Sequence, residues 1–289
     1  MFVTRDLTVA AAWIGLALAL APRASGQDLY PTLASAGTPP GWTPTRSITG
    51  DYWVRSAGAI VEDLRITDGN LMIGAPNVTV RRVEIRGGRI DNVPGDRCNN
   101  GLVIEDTTIT RSARQTRDTD PPVIGIGGYT ARNVKIDNVP EGFRVGGRSN
   151  DCGPVVIENS YVRIVPPDIC QDWHGDGIQG YDGPPVMVRN VVLKLVETRA
   201  CGGTAPFFYP DAQGNSSVDI NRMMVEGGGY PFRLGMTGSV RDLKIVNESW
   251  GYGPIDVKCT LVPTWSAKIV SIDADGQPVD LRAQTCSTG

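Results

Sequence analysis

The chain has 289 residues, 40% hydrophobic and 20% charged, enough for one large domain and too apolar for a disordered chain. A formal net charge of −3 excludes the basic signature of a nucleic-acid binder. Its 35 glycines and 21 prolines are scattered between short apolar runs, which points to many tight turns and an all-β chain.

In residues 1–26, Arg5 precedes an apolar run from Leu7 to Ala21, and Ala24 and Gly26 lie three and one before Gln27. This is the layout of a signal peptide, and a core of about 15 residues is short for a membrane span of about 20. The expected product is secreted, extracellular or periplasmic, with no membrane attachment after cleavage. Removing Arg5, Asp6 and Arg23 leaves 26 basic and 30 acidic residues. The six cysteines lack C-x-x-C pairs, so disulfides are expected in an exported chain. Six cysteines allow 15 pairings; because a solenoid keeps sequence neighbours close, Cys98–Cys152, Cys170–Cys201 and Cys259–Cys286 are the expected pairs.

From Asn70 onward one phrase recurs: a short apolar pair around one residue, a turn, then a longer alternating strand. Examples are NLMIGAPNVTVRRVEIRGG from Asn70, GFRVGGRSNDCGPVVIENSYVRIV from Gly142 and PFRLGMTGSVRDLKIVNES from Pro231. The repeat is too short for most propeller blades and lacks a leucine-rich pattern and a helix. A parallel β-helix, a single-stranded solenoid of about 7–9 coils, is therefore expected, with a β-sandwich as the alternative. The expected division is a signal peptide at 1–26, an N-terminal extension or cap at 27–52, the solenoid at 53–258 and a C-terminal capping segment at 259–289.

A residue flanked by two inward apolar positions on one strand points outward. In F-R-V, I-Q-G, F-F-Y, F-R-L and I-D-V those central residues are Arg144, Gln179, Phe208, Arg233 and Asp256, and Asp91 and Gly125 precede them in the same column. Such a column suits an extended polymer: arginines fork onto carboxylates, and Phe208, Tyr209 and Tyr230 can stack on sugar faces. The sharpest local signal is D-W-H-G-D-G-I-Q-G at 172–180. His174, the only histidine, lies between Asp172 and Asp176, and in extended chain the three point the same way. A histidine held by carboxylates suits general acid or base work.

With H-x-D-G-I-Q before a coil strand and the coil periodicity over about residues 50–260, the chain resembles the right-handed parallel β-helix superfamily of pectate lyases, alginate and chondroitin lyases, polygalacturonases and phage tailspikes. The resemblance implies a polysaccharide partner. It departs from the polygalacturonase pattern, which has an adjacent aspartate pair; here W-H-G and V-K-C are partial echoes. The first expectation is a lyase that cleaves an acidic, uronate-containing polysaccharide by β-elimination, with His174 as base, Arg144 and Arg233 neutralising the carboxylate, Tyr209 or Tyr230 as acid and Lys258 as alternative base. Gln179, Phe208, Tyr230, Asp256 and Asp172 would bind substrate. No cofactor is required, and calcium is the alternative, held by Asp91, Asp176 and Asp256. A glycoside hydrolase using Asp176 with Asp256 or Asp172, and a non-catalytic carbohydrate-binding or adhesin-like solenoid, are the competing expectations.

Overall fold

A computed structural model describes residues 29–117 and 121–286; the expected signal peptide lies outside them. About half of the chain is strand and about 2% is helix. Parallel sheets are normally covered by helices, so here the sheets must cover one another. Among the described residues a 12-stranded and a 9-stranded sheet form, and their strands alternate along the chain. Pairing is parallel throughout except for the final Thr264–Ile272 and Pro278–Ala283 hairpin. The architecture is solenoid-like, not a β-sandwich.

The longer strands are bent. Besides a left-handed Asn138 in Tyr129–Val139, the strands Ile60–Thr67, Thr79–Arg86, Leu102–Thr110, Tyr129–Val139, Val186–Leu195, Val218–Glu226 and Gly238–Val246 share a left-handed residue at the same place: Asp63, Arg82, Asp106, Asn133, Asn190, Arg222 and Asp242. Asn159 does the same between Val155–Glu158 and Tyr161–Ile164, and φ at these eight corners runs from 47° to 65°. Asp and Asn tolerate this region best among non-glycine residues. The corner changes the inward spacing from two to three. Val61, Leu64 and Ile66 point in, as do Val80, Val83 and Ile85 one rung on, and Ile220, Met223 and Val225 further along. Stacked rung on rung in register, these columns form one apolar core.

The corners also bond to each other. Arg82 Nε donates to Asp63 at 2.8 Å, Asn133 Nδ2 to Asp106 at 2.6 Å, Asn190 Nδ2 to Asn159 at 2.9 Å and Arg222 Nε to Asn190 at 3.0 Å. The N-terminal segment lies along this ladder. Tyr30 sits beneath the Arg222 guanidinium, 4.3 Å from its ring centroid, Gly37 exchanges two hydrogen bonds with Asn133, and Trp42 Nε1 donates to Asp63 at 3.0 Å. Residues 29–42 are thus a strap running from the last rungs back to the first. At the N-terminal end of the two sheets stand Arg46–Thr49 and Tyr52–Val54, paired with Ile60–Thr67 and Leu71–Ile73. Asn133→Val should lower the unfolding free energy by about 2–4 kcal/mol, combining left-handed strain with lost hydrogen bonds. Asn133→Gly should cost about half as much, as read from urea unfolding midpoints.

The expected disulfides Cys98–Cys152, Cys170–Cys201 and Cys259–Cys286 are all formed. Disulfides are common in extracellular proteins. Among the described residues no helix is long and apolar enough to cross a membrane. Parallel pairing continues past residue 258, because Thr264–Ile272 adds another rung to Gly238–Val246; only the antiparallel strand after it closes the end.

Candidate functional site

The short-strand sheet carries the expected outward column. Arg144 pairs in register with Gln179, Gln179 with Phe208, Phe208 with Arg233 and Arg233 with Asp256. Below them the column continues through Trp53, Met72, Asp91 and Gly125. Its neighbours in each strand point inward: Phe143, Ile178, Phe207 and Phe232 form the buried counterpart. Rungs about 4.8 Å apart make a ribbon of polar and aromatic side chains. Gly180 permits this packing, because a Cβ there would sit 2.4 Å from the ring of Tyr209 on the next rung.

At the C-terminal rungs the column becomes a cation and aromatic cluster. Arg233 donates from Nε to Asp256 at 2.9 Å while its guanidinium carbon lies 5.1 Å from the Phe208 centroid and 5.9 Å from that of Tyr230. Tyr230 in turn meets Tyr252, ring centroids 5.6 Å apart, and Tyr252 is 82% exposed. These tyrosines line the rim where the short strands begin. On the other rim stand the exposed Tyr181 and the ion pair of Lys258 with Asp211. Lys258 therefore faces the column from the side opposite His174, committed to a carboxylate.

His174 is on the first rim and exposed. Its Nε2 lies 3.2 Å from Asp172 and its Nδ1 3.3 Å from the Thr204 hydroxyl of the next rung. The loop that carries it is anchored twice. Cys170–Cys201 joins it to the following turn, and Trp173 is buried with Nε1 donating to the Pro140 carbonyl at 3.0 Å.

Two expectations are corrected. Asp176 does not share a face with His174 and Asp172. The chain bends at 171–172, the strand begins only at Asp176, and there the alternation sets Asp176 inward with Ile178. Its carboxylate is buried, Oδ1 accepting from Ala205 N at 3.1 Å and Oδ2 without a protein partner. Tyr209 is fully buried, stacked on Phe207 with centroids 5.4 Å apart, its hydroxyl without a partner. It cannot protonate a leaving group on the outer face. Of the three acids that calcium would require, Asp91 and Asp256 stand six rungs apart on the outer face and Asp176 is inside. Among the described residues no three His, Cys, Asp or Glu side chains converge on a metal-sized position.

Sequence reasoning missed Glu141. E-G-F-R at 141–144 repeats D-G-I-Q at 176–179, and register places Glu141 directly under Asp176. Both carboxyls are buried. Desolvation pushes Glu141 up to about 8, against the charge of Arg144 and a hydrogen bond from the Asp176 backbone. Asp176 is held well above the usual carboxylate range by burial first and by Glu141 second, with the Ala205 N–H, Arg144 and Arg233 opposing. A pair of acids one rung apart in a dry interior retains protons that exposed acids would release.

Comparison with family models, with curated proteins and with solved structures gave no match.

Proposed function

We propose that the chain is a secreted right-handed parallel β-helix of the pectate lyase-like type that binds an extended acidic polysaccharide along its short-strand sheet and cleaves it by β-elimination. The observation that carries this reading is the in-register column Arg144, Gln179, Phe208, Arg233 and Asp256 bordered by His174. Arg144 and Arg233 neutralise the uronate carboxylate, which acidifies the carbon beside it. His174 then removes that carbon's proton, the electron pair forms the ring double bond, and the glycosidic carbon–oxygen bond breaks. Tyr230, which lies on the same rim as His174, delivers a proton to the leaving oxygen. Burial of Asp176 weighs against a hydrolase built on Asp176 with Asp256 or Asp172, because such a reaction needs both carboxyls at the scissile bond. A non-catalytic carbohydrate-binding solenoid is the second reading, favoured by the half-buried Tyr230 and exposed Tyr252 pair close to Phe208.

A panel of uronate and neutral polysaccharides, read by ultraviolet absorbance of the unsaturated product and by reducing ends, separates these readings. Absorbance should appear with a uronate polymer, and His174→Ala should reduce its rate at least about 100-fold with binding retained. Reducing ends without absorbance would identify a hydrolase. Binding without either product would identify the binder.

A further inference from the structure

A second site lies on the same rim, towards the N-terminal rungs. The turn Gly87–Gly88–Arg89 and residues after Thr110 border a cavity of about 60 Å³ lined by Arg89, Arg111, Arg114, Val123 and Val139, with no acidic side chain among the described residues of its wall. That volume accommodates several water-sized groups, so a carboxylate or sulfate fits it.

Among the described residues, the charges around it are incompletely balanced. Arg89 reaches Asp91 through Nη2 at 2.7 Å, and Arg111 reaches Asp168 through Nη1 at 3.1 Å and the Pro166 carbonyl through Nη2 at 2.8 Å. Those acids stand outside the wall and fix the two guanidinium planes from behind. The Nε atoms of both arginines are nevertheless buried with no protein acceptor. Two buried N–H donors on charged groups are costly to leave unpaired. Arg114, the third arginine in the wall, is exposed and brings a positive charge for which neither acid is positioned. The segment is held in place because Asp168 accepts from both the Thr116 N–H at 2.9 Å and its hydroxyl at 3.1 Å. Asp168 belongs to the loop that also carries His174, so the cavity and the proposed catalytic rim share one support.

We infer that this arginine-walled cavity is a binding site for a small oxyanion group, a carboxylate or a sulfate ester, with the valines receiving the apolar part of its carrier. The inference rests on the cavity and not on the lyase reading, so it stands or falls separately. Guanidinium forks match such oxyanions in geometry as well as charge.

The test is thermal and calorimetric titration of the full protein with sodium sulfate, sodium acetate and monomeric galacturonate at constant ionic strength, with chloride as reference. Saturable binding of sulfate or of a carboxylate, absent with chloride, is expected. Arg114→Gln, which breaks no ion pair among the described residues, should weaken it about tenfold. Arg89→Lys keeps the charge and loses the Nε donor, and it should weaken binding similarly with the circular dichroism spectrum unchanged. Sulfate saturation without galacturonate binding assigns the site to sulfate groups, and the reverse assigns it to uronates. Equal shifts with chloride, or wild-type affinity in both variants, would overturn the inference.

Discussion

Replacing Phe207 by alanine lowers the unfolding free energy by about 3–5 kcal/mol, the cost of deleting a buried aromatic side chain from a packed core. Phe207 is fully buried and lies between Ile178 and Phe232 on adjacent rungs. Its ring stacks on Phe232 with centroids 4.9 Å apart and planes 10° from parallel, and on Tyr209 at 5.4 Å. Removing it takes a packing surface from both Phe232 and Tyr209, and Phe232 in turn meets Trp265 with centroids 6.0 Å apart. A rung of a solenoid contacts mainly its neighbours, so the loss concentrates in the C-terminal rungs. Hydrogen exchange should accelerate from about Ala205 onward while strands such as Thr79–Arg86 keep their protection. Phe208→Ala is the internal control. It changes one residue along the same strand but on the outer face, and should cost less than about 1 kcal/mol while weakening polysaccharide binding. Equal destabilisation by the two substitutions would contradict the inward and outward assignment on which the proposed site depends.

That assignment was legible in the sequence because F-R-V, I-Q-G, F-F-Y and F-R-L each frame one residue by two that must be buried, and a period of two leaves no other arrangement. Tyr209 shows the rule applied incompletely. The alternation that puts Phe208 outside puts Tyr209 inside, yet closeness in sequence drew it into the expected mechanism. Asp176 failed for a different reason. A face shared with His174 requires extended chain from 172 to 176, whereas the chain bends at 171–172 and the buried Trp173 anchors the loop before the strand begins at Asp176. The corner residues were also present in the phrases VEDLRI, VRRVEI, ARNVKI and VRDLKI, where an Asp, Asn or Arg recurs just before an inward apolar residue. Simple alternation cannot register them, since a left-handed residue shifts the inward spacing from two to three. The strap could not be read at all, because residues 29–42 make their contacts with rungs far away in sequence, as between Tyr30 and Gln277.

The buried acids predict an unusual dependence of stability on pH. Glu141 ordinarily titrates near 4.5 and in the folded chain is pushed up to about 8. Between those values the native state holds a proton that the unfolded chain has released, so raising the pH favours unfolding. The stabilising effect of the protonated group is complete below about 4.5 and is lost as the pH climbs through about 8. The slope can reach about 1.4 kcal/mol per pH unit for one group, and Asp176, shifted in the same direction, adds to it. Because the two carboxyls interact, the measured midpoint belongs to the pair. Paired surface acids act in another window: Asp168, Asp182, Asp219 and Asp280 are all shifted downward by their partners, so their contribution is lost only in acid, as the pH falls below the usual carboxylate range. Glu141→Gln keeps the shape and an oxygen to accept the Asp176 N–H, but cannot ionise. Its urea midpoint should exceed that of the wild type by a growing margin from pH 5 to pH 8, reaching a few kcal/mol. Parallel curves for variant and wild type across that range would mean that Glu141 ionises in the folded chain as it does in the unfolded one, and the pair would then not be the proton-holding unit its burial implies.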